Sequence, residues 1–275
     1  MVLLGIPCSH AQSSSDTPIS PLYMSGEVEI GRGDLIDTYL SPWSYGGWNI
    51  GINVELMKAL NGCNGSWLWQ QRLGGNYGRS RMNISGAGLV ASGGANYSFA
   101  IMHHSPTPIC GLHLYYGGNI GISADAIYNY HGGNNPATVR VDCSLALTGM
   151  IVYNVSWGRQ LFTIRYQPTL PVIGVFSQPE YAQSYYEVWL GNYNNFIHCG
   201  TWGNRFDMDN RLSIDIHFSN WALRLGYHNR ISTTYTHNNR YQIVTNNFTI
   251  GFAGDIISIG RGDNRPVIRA LYNMP

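Results

Sequence analysis

The feature that most constrains this chain is an alternation of period two that recurs along it, always with the same two sides. Trp48, Ile50, Ile52, Val54 and Leu56 alternate with Asn49, Gly51, Asn53 and Glu55. Ile120, Ile122, Ala124, Ala126 and Tyr128 alternate with Asn119, Gly121, Ser123 and Asp125, and Val141, Cys143, Leu145 and Leu147 with Asp142, Ser144, Ala146 and Thr148. Leu212, Ile214, Ile216 and Phe218 oppose Ser213, Asp215, His217 and Ser219; then Trp221, Leu223, Leu225 and Tyr227 oppose Ala222, Arg224, Gly226 and His228. Successive strand residues point to opposite faces, so each run predicts a strand with one apolar and one polar face.

The composition of the polar face decides which way the strands turn. A soluble sandwich or barrel points its apolar face inward and covers the outside with Lys, Glu and Thr. Here the polar face holds Gly, Ser, Asn, Asp, Arg and His, and Lys58 is the only lysine in the chain. Such a face suits a wet or hydrogen-bonded lumen, while an apolar face carrying Trp48, Tyr128, Trp221 and Tyr227 suits a bilayer and its interfaces. Only 11% of the 275 residues are charged, against about 25% in an ordinary soluble domain. The net charge is +1 without a basic run, which gives nucleic acid no reason to bind.

No run reaches the ~18–20 apolar residues of a membrane helix, and in lipid the remaining way to satisfy every backbone group is a closed barrel. The expectation is therefore all-β: a closed antiparallel transmembrane β-barrel. At roughly 20–22 residues per strand and connection it has about twelve strands, within a range of ten to fourteen. Gly117-Gly118, Gly132 to Pro136, Ser219-Asn220, Asn238-Asn239 and Asn246-Asn247 read as turns. Residues 1–11, "MVLLGIPCSHA", read as the remainder of an export signal; residues 12–36 read as an extended polar leader, and residues 37–275 as one barrel domain. The barrel closes either on a strand around Phe248–Ile259 or through Tyr272.

Beyond the signal, Cys63, Cys110, Cys143 and Cys199 form no C-x-x-C pair, which argues against zinc and thioredoxin-like sites. Cys143 reads as a small apolar residue, and no disulfide is expected. Gly74-Gly75 and Gly93-Gly94 are not followed by a Lys-Ser/Thr phosphate signature, His103-His104 reads as a loop pair, and no cofactor or metal is expected.

Two groups of residues are candidate sites. Asp215, His217 and Ser219 share one face, and an imidazole beside a hydroxyl and an acid is the material of a nucleophilic site. The element His217-Phe218-Ser219-Asn220 resembles the His-x-Ser-Asn element of outer-membrane phospholipases and lipid A deacylases, which would imply lipid hydrolysis. The polar face argues against it, since a lipid substrate would have to be met from the apolar side; same-face neighbours also stand about 6.5–7 Å apart at the backbone. The preferred reading makes Asp215, His217 and Ser219 face the lumen, with Arg224 and His228 as hydrogen-bond partners across the hairpin. The second group is Arg159, Arg165, Glu180 and Glu187 with Tyr166, Tyr181, Tyr185 and Tyr186, expected to line or fill the lumen, and "PTLPVIGVFSQPEY" (168–181) is expected to be a loop or a broken strand entering the lumen. Arg32-Gly33-Asp34 and Arg261-Gly262-Asp263 are chance tripeptides in the flanks.

Three stretches, "DTYLSPWSYGGWNIGINVE" (37–55), "PVIGVFSQPEYAQSYYEVWLG" (171–191) and "LRLGYHNRISTTYTHNNRYQIVTNNFTIGF" (223–252), resemble a Bacteroidota family of exported proteins of unknown function. The resemblance implies an outer-membrane β-barrel of a Gram-negative cell and no assigned activity. The expected function is a structural or accessory membrane component, or a narrow porin-like solute channel, in contact with outer-membrane lipid and other outer-membrane proteins. A barrel lipid hydrolase using His217 and Ser219, and a secreted soluble glycan-binding β-sandwich, are the alternatives.

Overall fold

The computed structural model describes residues 22–60, 67–133, 136–158, 160–180, 183–193, 195–218 and 221–255. The strands are β1 (Tyr23–Asp37), β2 (Ser41–Leu60), β3 (Trp67–Met82), β4 (Leu89–Pro106), β5 (Leu112–Asn129), β6 (Ala137–Trp157) and β7 (Gln160–Ser177). After a short helix, α1 (Tyr185–Trp189), come β8 (Ile197–Thr201), β9 (Arg205–His217), β10 (Ala222–Thr236) and β11 (Asn239–Asp255). Ten of them form one antiparallel ring: β1 to β7 in chain order, then β9, β10 and β11, with β11 pairing back onto β1. The eleventh, β8, continues the line of β9 along β7, which pairs with β9 from Leu161 to Thr169 and with β8 from Ile173 to Ser177.

The barrel class is thus as expected, but the ring has ten strands among the described residues and not about twelve. The strands are longer than anticipated because two Gly/Asn pairs taken for turns lie inside them. Gly117 sits in β5, where a side chain would strike the carbonyl oxygen of Ile101 on β4. Asn246 and Asn247 lie within β11, where Asn246 accepts from Tyr227 Oη at 2.6 Å and Asn247 donates to Glu29 at 3.0 Å. Asn238 does turn the chain, with φ of 63°, and β11 closes the ring through Asp255.

The leader expected over 12–36 is corrected as well, since residues 23–36 belong to β1 and are paired on both edges. The stretch 168–177 is likewise unbroken strand, with Pro171 placed where the β6–β7 register shifts. His103 and His104 lie in β4 rather than in a loop. Cys110, beside β5, is disulfide-bonded, contrary to expectation, while Cys143 and Cys199 are free and exposed.

The two faces fall as the alternation requires. Val28, Ile30, Ile50, Ile52, Leu147 and Phe248 point outward, Ile52 at 64% and Phe248 at 75% exposure, while Asn49, Asn53, Glu55, Asp215 and Arg224 are buried inside. One sheet closed on itself with its apolar face outward is incompatible with a soluble sandwich. From Trp48 to Leu60 the outward face of β2 spans about 30 Å once a tilt of roughly 40° is allowed for, matching an apolar band.

Candidate functional site

The lumen is where the polar side chains meet, and it is layered. We name its two mouths by β1, whose Tyr23 lies at one and Asp37 at the other. The Tyr23 mouth is sealed by an apolar layer that includes Tyr23, Met57, Leu68, Met102, Met150 and Val152. Tyr23, Met57, Met102 and Met150, long unbranched or aromatic residues on β1, β2, β4 and β6, are packed together there.

The next layer is ionic and centres on Glu55 of β2. Its carboxylate receives Arg165 Nη2 at 2.7 Å, Arg72 Nε at 3.0 Å and Arg224 Nη1 at 3.0 Å. Arg224 is fully buried; its Nε and Nη2 hold the two oxygens of Asp215 at 2.6 and 2.7 Å, and its Nη1 reaches Ser25 at 2.9 Å and Glu27 at 3.1 Å. Gln70 and Gln167 exchange hydrogen bonds across the lumen at 2.7 and 3.1 Å. Three carboxylates and three guanidinium groups contributed by β1, β2, β3, β7, β9 and β10 therefore neutralise one another across the barrel axis. Such groups are tolerated out of water only when mutually paired.

Above this layer His228 bridges two carboxylates, 2.8 Å from Glu29 and 2.8 Å from Asp209, and Arg211 donates to Asp209 at 3.0 Å. Towards the Asp37 mouth the lumen opens into a cavity of about 150 Å3. Asn and Ser side chains of β2 to β6, such as Asn96, Asn119 and Ser144, line one side; Arg205, Asp207 and Arg230 face them. Arg205 joins Asp207 and, at 2.9 Å, Asp142; Arg230 reaches Asp125 at 3.4 Å. Arg205 Nη1 and Asp207 Oδ1 have no partner among the described residues, and a polar chamber of this size has room for several waters.

The Asp37 mouth is covered twice. Leu35, Tyr45, Val90, Ile127 and Tyr241 form an apolar layer, and the connection after β7 crosses above it. Within that connection Gln178 accepts from Thr234 Oγ1 at 2.8 Å, Pro179 O accepts from Asn239 at 2.9 Å, and Gln183 O accepts from Tyr39 Oη at 2.9 Å on the far side of the ring. Tyr185 of α1 donates to Val139 O at 2.9 Å and meets the Tyr39 ring edge-on at 6.0 Å. Burial, reinforced by the neighbouring Tyr185 and Asp37, pushes the Tyr39 phenol up to about 12, so it stays a donor at neutral pH.

These positions sort the sequence candidates. Asp215, His217, Arg165, Arg224 and His228 all face the lumen. Asp215 and Arg224 pair across the hairpin as expected, but His228 bonds Glu29 and Asp209 instead of Asp215 or His217. His217 Nε2 lies 2.7 Å from Thr163 Oγ1 while its Nδ1 has no partner among the described residues, and Asp215 is held by Arg224 and Tyr23, so among the described residues no acid orients the imidazole. Glu180 and Glu187 are corrected: Glu180 accepts from Asn195 in the mouth connection, and Glu187 closes the capping box of α1 with Ser184. Tyr166 faces outward and bonds Asn210 at 3.1 Å, and Tyr186 is 69% exposed. Ser219, Arg159 and Tyr181 lie outside the described residues. The residues missed were Glu55, Arg72, Gln70, Gln167, Asp209 and Arg211. Glu55 already stood on the polar side of its run, and the others are inward polar positions whose meeting level depends on strand register.

The family model for "Protein of unknown function (DUF3316)" matches residues 1–262. The chain belongs to that family. No curated protein matches this DUF3316 chain. Among solved structures it is similar to the outer-membrane protease OmpT from Escherichia coli, at 6% identity and a TM-score of 0.44, covering 89% of this chain and 99% of that one. It is also similar to the β domain of the Bordetella autotransporter BrkA, at 10% identity and a TM-score of 0.47, covering 85% and 99%, and to the transport unit of the autotransporter AIDA-I from Escherichia coli, at 8% identity and a TM-score of 0.45, covering 89% and 93%.

Proposed function

We propose that this DUF3316 protein is an integral outer-membrane β-barrel shut by its own side chains, acting as a structural or accessory membrane component rather than as an open channel. The observation that carries the reading is Glu55: a carboxylate near the axis bonded to arginines from β3, β7 and β10 leaves no path for a solute at that level. The apolar layers at both mouths support the same conclusion. Lipid hydrolysis is not favoured, because Asp215 and His217 are engaged inside the lumen with Arg224 and Thr163.

The test is reconstitution. The protein should require detergent, migrate differently on gels when unboiled, and give no conductance steps in planar bilayers. Steady single-channel steps from the wild type would refute the closed lumen, and solubility without detergent would refute the membrane assignment.

A further inference from the structure

Apart from Lys58, the charged side chains on the outward face of the described barrel strands gather in one sector at the Asp37 end. Arg32 and Asp34 of β1 share the outward side of Val28 and Ile30, Arg79 and Arg81 of β3 that of Leu73 and Tyr77, and Arg240 of β11 that of Phe248. Register brings them together. Arg32 stands opposite Trp48 and Trp48 opposite Arg79; one step towards the mouth, Asp34 stands opposite Gly46 and Gly46 opposite Arg81. Lys58, near the Tyr23 end, is the remaining outward Asp, Glu, Lys or Arg on the described barrel strands. Four arginines against one aspartate thus occupy adjoining strands at one end of a wall otherwise built for lipid.

Arg240 donates to Gln242 at 2.6 Å, whereas the other three arginines are not consumed internally. The Arg32 side chain is 71% exposed and 4.0 Å from Asp34; Arg79 and Arg81 are exposed and have no hydrogen bond or ion pair among the described residues. Between them Gly46 leaves room for the side chains of Asn83, Asp34 and Arg32, whose Oδ1, Oδ1 and Nη2 atoms a Cβ there would meet at 2.6, 2.8 and 3.0 Å. Trp48 and Tyr77 meet edge-on at 5.7 Å at this level and form the aromatic girdle, with Ile30, Ile50 and Ile52 below. The guanidinium groups therefore stand where headgroups begin, above a wall that acyl chains would cover.

From this we infer that Arg32, Arg79 and Arg81 form a binding site for the phosphorylated headgroup of a membrane lipid, with its acyl chains along β1 to β3. The inference rests on the membrane reading above. Guanidinium forks match phosphate oxygens in pairs, and the apolar wall beneath, with Val28, Ile30, Ile50, Ile52, Val54 and Leu73, favours a lipid over free phosphate. Longer loops mark the outer side of such barrels, and the long connection after β7 is at this end, which assigns the site to the outer leaflet. The Arg32-Gly33-Asp34 tripeptide belongs to this wall: it is strand, not an accessible loop.

The experiment immobilises wild-type protein in neutral detergent, after heat-modifiability has been verified, and measures uptake of lipid A from mixed micelles. Dephosphorylated lipid A and inorganic phosphate are the comparison probes. The triple variant R32Q/R79Q/R81Q keeps its exposed positions polar; K58Q is the control. The expected result is selective uptake of the phosphorylated lipid, unchanged in K58Q and weakened about a hundredfold in the triple variant, at about 1 kcal/mol per arginine. Equal uptake of the dephosphorylated lipid, wild-type affinity in the triple variant, or displacement of the lipid by inorganic phosphate at equal concentration would each overturn the site. A protein that is not heat-modifiable fails earlier, at the membrane reading; a heat-modifiable barrel that ignores the phosphate keeps that reading and loses this one.

Discussion

The two halves of the lumen are built on the same ten strands, yet one is packed and the other holds a chamber. In the Tyr23 half, Arg72, Arg165, Arg224, Gln70 and Gln167 reach across to one another and to Glu55. In the Asp37 half the facing wall is Asn and Ser, and a cavity of about 150 Å3 remains. A barrel of this size has an interior that only long side chains can fill. Side-chain length on β2 to β6, not polarity, therefore separates the halves, and the same substitution should behave differently in each.

The largest contrast is expected between two arginines. Arg224→Met strands Asp215 and removes one partner each from Glu55 and Glu27 in a dry layer, which should cost about 3–5 kcal/mol. Arg230→Met breaks a pair with Asp125 at 3.4 Å whose partners are 26% and 14% exposed to the chamber, and should cost less than about 1 kcal/mol. Urea unfolding in detergent measures both. Equal losses would mean the chamber is as dry as the packed half, and the comparison would fail.

An intermediate contrast comes from one substitution made twice. Ser25 in the packed half accepts from Arg224 at 2.9 Å and donates to Glu55 at 3.4 Å; Ser25→Val leaves both short of a partner and should cost about 1–3 kcal/mol. Ser144 lines the chamber, and its hydroxyl has no hydrogen-bond partner among the described residues. Ser144→Val adds a methyl to open space and should stay within about 1 kcal/mol of wild type by the same unfolding curves. A Ser144→Val loss matching that of Ser25→Val would show that the chamber side is close-packed.

The faces of the barrel were legible in the sequence and the levels of the lumen were not. Every outward residue of the 48–56, 119–128 and 212–218 runs for which a side is described lies on the side its alternation assigned, because period two is a property of the strand alone. The count failed at Gly117-Gly118 and Asn246-Asn247, where residues that favour turns serve close strand approach and cross-strand amide pairing instead. The alternation of β1 is weak because Gly26, Arg32 and Asp34 interrupt its outward apolar side while Tyr23 and Leu35 stand on its inward one. Glu55 and Arg224 were both placed on the polar face, but their meeting 169 residues apart depends on ring closure and register, which no local pattern encodes.

The smallest expected effect concerns the mouth connection, which covers the chamber and touches nothing in the packed half. Tyr39→Phe removes one hydrogen bond to Gln183 O and leaves the ring contact with Tyr185 in place, so its cost should be about 0.5–1.5 kcal/mol. That cost falls on local opening rather than on the barrel. Limited proteolysis of the variant in detergent should cleave faster within residues 178–196 while the unboiled band keeps its mobility. In a Ser144→Val background the increase should be unchanged, because the chamber lies between the two positions and transmits no packing. A Tyr39→Phe change that also lowered the unfolding midpoint as far as Ser25→Val would show that the connection braces the whole lumen, and the two halves would then be one mechanical unit.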